Sequence, residues 1–102
     1  MTRQEVFDTL RRELPSLRKT YGVKTLGVFG SFATGDQTEN SDVDILVEFD
    51  HPIGLRFMEL AEDLERLLAR KADLLTWDGV KSIHNRRISH SIRESVIDVE
   101  KA

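Results

Sequence analysis

The chain has 102 residues, 15 basic against 18 acidic side chains for a formal charge of −3, 39% apolar residues and no cysteine. That size fits one domain over residues 1–102, the missing cysteine excludes disulfides and thiolate chemistry, and the charge argues against direct nucleic-acid binding by the surface as a whole. No apolar run approaches the roughly 20 residues needed to cross a bilayer, so no membrane role and a cytoplasmic location are expected.

Thr2-Arg3-Gln4-Glu5 reads as a capping box, and Val6, Phe7, Leu10, Leu14 and Leu17 follow at helical spacing. This predicts an amphipathic helix, interrupted at Pro15 by a kink or a second helical start, and stopped at Tyr21-Gly22. Val23 to Phe29 is β-prone and apolar, predicting a strand that runs into Gly30-Ser31. Thr34 to Asn40 is polar and turn-rich, hence a loop.

Ser41 to Phe49 alternates, with Val43, Ile45, Val47 and Phe49 on one face and Asp42, Asp44, Leu46 and Glu48 on the other. A loop at 50–54 leads to a second amphipathic helix marked by Leu55, Phe57, Met58, Ala61, Leu64, Leu67 and Leu68, which Arg70-Lys71 closes favourably for its dipole. Ala72 to Thr76 predicts a short third strand, and Val80, Ile83, Ile88, Ile92, Val96 and Val99 suggest one or two C-terminal helices. The fold class is therefore α+β, a small mixed sheet packed on helices.

Asp42 and Asp44 stand two positions apart on a predicted strand, which puts both carboxylates on one face with α-carbons about 6.6 Å apart. At that separation two charges repel by roughly 2.5 kcal/mol at an effective dielectric of about 20, and a hard divalent cation relieves the repulsion. With nine aspartates in the chain, about 0.8 such pairs arise by chance, so the pair means little alone. Gly30-Ser31 changes that weight. A glycine permits close backbone approach, and a serine hydroxyl beside helix-start amides suits phosphate oxygens. A phosphate cradle beside paired carboxylates is what transfer from a nucleoside triphosphate requires.

Gly30-Ser31-Phe32-Ala33-Thr34-Gly35 followed by Ser41-Asp42-Val43-Asp44-Ile45-Leu46-Val47 resembles the signature of the polymerase-β-like nucleotidyltransferases. Tyr21-Gly22-Val23 before it, the Val47-Glu48-Phe49 exit, the later Ala72-Asp73-Leu74-Leu75-Thr76 and the short length make the chain similar to their minimal members, including MntA-like antitoxins. The resemblance implies a polymerase-β-like fold and an enzyme that moves AMP from ATP to a hydroxyl with two Mg²⁺ ions. It implies that Asp42, Asp44 and Asp73 are catalytic and hold the metal, and that Gly30 and Ser31 bind the nucleotide. It also implies a partner, a helical toxin of the HEPN class whose hydroxyl would accept AMP. One position departs from the pattern: Thr34 stands where the family usually has arginine. That departure favours the alternative of a non-catalytic antitoxin acting by occlusion.

Lys81 to Arg93 contains four basic residues and no acid. On a helix, Arg86, His90 and Arg93 would share a face able to meet phosphates or an acidic partner, though a solvated face is the simpler reading. His84 and His90 lack paired metal-ligand spacing. Phe32, Trp77 and Tyr21 read as packing residues.

Overall fold

The structure, a computed structural model, describes every residue from Met1 to Ala102. Helix α1 (Arg3–Tyr21) begins at the expected capping box, with Thr2 Oγ1 accepting from the Glu5 amide and Glu5 Oε1 accepting from the Thr2 amide, both at 3.1 Å. It ends at Gly22, whose φ of 73° suits glycine and whose amide donates to the Arg18 carbonyl at 2.9 Å. Pro15 does not divide it. A helical proline costs about 3 kcal/mol. Continuing the helix beyond it buries Leu17 and Tyr21, worth about 1.5–3 kcal/mol for each large side chain, so the unbroken helix wins.

Strands β1 (Val23–Phe29), β2 (Val43–Phe49), β3 (Ala72–Thr76) and β4 (Ile97–Asp98) form one sheet in the order β3-β2-β1-β4. β1 runs antiparallel to β2 and β4, while β2 and β3 are parallel, joined across helix α3 (Arg56–Leu68). The short helix α2 (Ser31–Thr34) follows β1, and α4 (Trp77–Lys81) and α5 (Arg86–Ser95) follow β3. The C-terminal apolar pattern therefore yields two helices and then a strand. Val96 turns to extended backbone, and Ile97 and Asp98 then pair with Val28 and Gly27 of β1, with the Val99 amide donating to the Leu26 carbonyl at 2.9 Å.

The alternation along β2 sets the layering. Val43, Ile45 and Val47 join Val6, Leu10, Leu14, Leu60, Leu64 and Leu68 in the main core between the sheet and helices α1 and α3. The opposite face is not simply polar, because Leu46 packs with Phe29, Val80 and Ile92 in a second, smaller cluster under α4 and α5. Asp42 and Asp44 sit at the open end of that second face. No helix is long and apolar enough to cross a membrane.

Candidate active site

β1 ends on Phe29, and Gly30 turns the chain into α2 at φ 69° and ψ −150°, a backbone region open essentially to glycine. Glycine is also required by space, since a Cβ at this position would lie 2.1 Å from Asp44 Oδ2. The backbone thus lies directly against the carboxylate. Ser31, half-buried, opens α2, where the first helical amides lack intrahelical partners.

Asp44 is flanked in register by Phe29 on β1 and by Asp73 on β3. Residues opposed on neighbouring strands point to the same face, so the sheet brings the two acids together although 28 residues separate them in sequence. Asp42 lies half-buried just before β2. The Asp44 carboxyl is pushed up to about 6, first by burial, then by the negative charges of Asp73 and Asp42, and by a hydrogen bond with Asp73. Asp44 therefore interacts with both of the other acids. No three acidic or histidine side chains are already gathered at metal-coordinating spacing. The donor chemistry nevertheless fits a hard cation: all-oxygen carboxylates, one of them kept reluctant to ionise by burial and by like charges that a divalent ion would offset.

The approach to β2 is held by a residue that the sequence pattern offered only as a helix-end charge. Arg70 donates to the carbonyls of Glu39 at 2.9 Å and Ser41 at 2.7 Å, and its guanidinium lies 5.5 Å from the centre of the buried Phe32 ring. The Val43 amide donates to the Lys71 carbonyl at 3.0 Å, and the Ala72 amide to Glu65 Oε2 at 3.0 Å. These bonds set the start of β2 against the start of β3, and hence Asp42 and Asp44 beside Asp73.

Thr34 donates its hydroxyl to Asp36 Oδ2 at 3.0 Å, with the Ser31 carbonyl at 3.4 Å. Phe32 and Tyr21 are buried packing residues; the Tyr21 hydroxyl donates to Asp63. Trp77 packs against the smaller cluster. A cleft of about 350 Å³ opens over Gly30 and Asp44. A larger one, about 630 Å³, lies at the other end of β2 and β3 beside Phe49, His51 and Trp77, and none of the expected site residues lines it.

The mixed sheet, the glycine turn and the facing aspartates are the arrangement that the sequence resemblance implies. Residues 8–99 match the nucleotidyltransferase domain family, and the chain belongs to it. A relative in Methanocaldococcus jannaschii, provisionally named a protein adenylyltransferase, is 45% identical over 96% of this chain and 98% of its own. The protein adenylyltransferase MntA of Thermococcus cleftensis is 43% identical over 80% of this chain and 84% of its own. Among solved structures, one provisionally described as a minimal nucleotidyltransferase superposes with a TM-score of 0.73 at 30% identity, over 95% of both chains. A chain in the complex of tri-AMPylated Shewanella oneidensis HEPN toxin with MNT antitoxin shares the fold, with a TM-score of 0.63 at 17% identity over 96% of this chain and 71% of that one. The protein is thus a minimal, MntA-like nucleotidyltransferase.

Proposed function

We propose that this nucleotidyltransferase moves AMP from ATP to a hydroxyl of a partner protein, and that the partner is a HEPN-type toxin which it restrains as an antitoxin. The observation that carries the reading is the packing of Gly30 against Asp44, with Asp73 opposed to Asp44 on the next strand. The names of the relatives support the protein acceptor, and the HEPN–MNT complex supports the partner class. The absence of cysteine accords with a reducing cytoplasm.

In this reading Gly30 and Ser31 hold the β- and γ-phosphates, the glycine by letting them reach the backbone and the serine through its hydroxyl. Asp42, Asp44 and Asp73 would hold two Mg²⁺ ions, which when bound supply the positive charge that the triphosphate and the departing pyrophosphate need. The acceptor oxygen bonds to the α-phosphorus as the bond from that phosphorus to the bridging oxygen breaks, and pyrophosphate leaves. Asp73, the exposed member of the three, takes the acceptor proton. Asp44 orients the reacting end from its half-buried place between Phe29 and Asp73.

A second reading is occlusion without catalysis, favoured by Thr34, whose hydroxyl is engaged with Asp36. The two separate when the chain, ATP labelled at its α-phosphate, Mg²⁺ and the product of the neighbouring gene are incubated together. Transfer of label, lost in Asp44→Asn, is the outcome expected for the enzyme. An unlabelled but inhibited partner would replace that reading with occlusion.

A further inference from the structure

Helix α5 forms the wall of the smaller cleft that faces Gly30 and Asp44. Asn85 caps it, its Oδ1 accepting from the amides of Arg87 at 3.0 Å and Ile88 at 3.3 Å. Arg87, Ser91 and Ser95 recur every fourth residue, which places them on one side of the helix, and all three line the cleft opposite Phe29, Gly30 and Asp44. The basic face suggested by spacing alone, Arg86, His90 and Arg93, is not the one turned inward. These three are exposed and outside the cleft, and His90 Nε2 lies 3.0 Å from Glu94 Oε1.

The Arg87 guanidinium takes part in none of the chain's ion pairs. Arg87 is the only basic residue lining the cleft over Gly30 and Asp44. A triphosphate entering that cleft needs positive charge at its outer phosphates, and Thr34 brings none. From these observations, and resting on the nucleotidyl-transfer reading, we propose that Arg87 binds the β- and γ-phosphates of the nucleotide from the α5 side. A guanidinium suits the task because its planar fork can hold two phosphate oxygens at once, with the Ser91 hydroxyl one helical turn further along the same wall.

The test is titration of MgATP and MgAMP into the whole chain, unaltered and as Arg87→Ala, Arg87→Lys and Arg86→Ala, with circular dichroism confirming that each is folded. Arg87→Ala should weaken MgATP at least about tenfold while leaving MgAMP, which lacks the outer phosphates, within about twofold. Arg87→Lys, with the charge but not the fork, should fall between, and Arg86→Ala should match the unaltered chain. Unchanged MgATP binding in Arg87→Ala would overturn the assignment and leave the transfer reading standing, as would an equal loss for both nucleotides. An unaltered chain that binds no MgATP would overturn both.

Discussion

The backbone of Gly30 lies so close to the Asp44 side chain that a single added carbon would come within 2.1 Å of Oδ2. The turn and the carboxylate are therefore one unit, and Gly30→Ala tests both at once. It should destabilise the chain by about 1–3 kcal/mol through the strained backbone and displace Asp44. A urea titration alongside nucleotidyl transfer would show the two losses together; an active, equally stable variant would contradict the geometry.

Asp44→Asn should separate activity from stability. Nucleotidyl transfer should fall about a hundredfold or more, the scale seen when a group facing developing charge is removed. The metal-free fold should be as stable or more so at neutral pH, because an amide ends the repulsion with Asp73 and Asp42.

Burial of Asp44, together with that repulsion, predicts a pH dependence. Asp44 titrates near 6 in the folded chain against an ordinary 3.8, so the folded state binds its proton more tightly than the unfolded one. The resulting stability is fully present below about pH 4 and is lost as pH rises through about 6. In chelator, the urea midpoint of Asp44→Asn should gain on that of the unaltered chain across this window. Carbon-13 titration should show the Asp44 midpoint moving down in Asp73→Asn, since one of the raising charges is gone.

Arg70→Ala probes positioning. Removing the two bonds to the Glu39 and Ser41 carbonyls should lower kcat about tenfold by freeing the approach to Asp42, at a stability cost of about 1–2 kcal/mol. Arg70→Lys, which can keep one bond, should recover part of kcat. A variant with lost stability but unchanged kcat would assign Arg70 to folding alone.

Local signals in the sequence reached far into this fold. The capping box at Thr2 and Glu5 and the glycine stop at Gly22 each describe a contact that the chain makes within a few residues of itself, and the period-two alternation from Val43 to Val47 marks which face of β2 is core. What they could not convey is register across a crossover. Asp73 faces Asp44 because β2 and β3 pair in parallel from Val43 and Ala72 to Val47 and Thr76, a ladder that opens with the Val43 amide on the Lys71 carbonyl, and periodicity within ADLLT is silent on that. Arg87 escaped for a related reason: helical spacing groups residues into faces, but the face turned inward depends on how Ile92 seats against Phe29 and Leu46. The strand at Ile97–Asp98 was hidden because Ile88, Ile92 and Val96 keep a helical period to its edge.

The two sides of the sheet are anchored very unequally, seventeen buried residues against four. The flap made by α4 and α5 should therefore breathe while the α1–α3 side stays shut. In hydrogen–deuterium exchange, amides of 86–95 should lose protection well before those of 6–17. In the proposed reaction, such motion would give spent pyrophosphate an exit that leaves the rest of the molecule at rest.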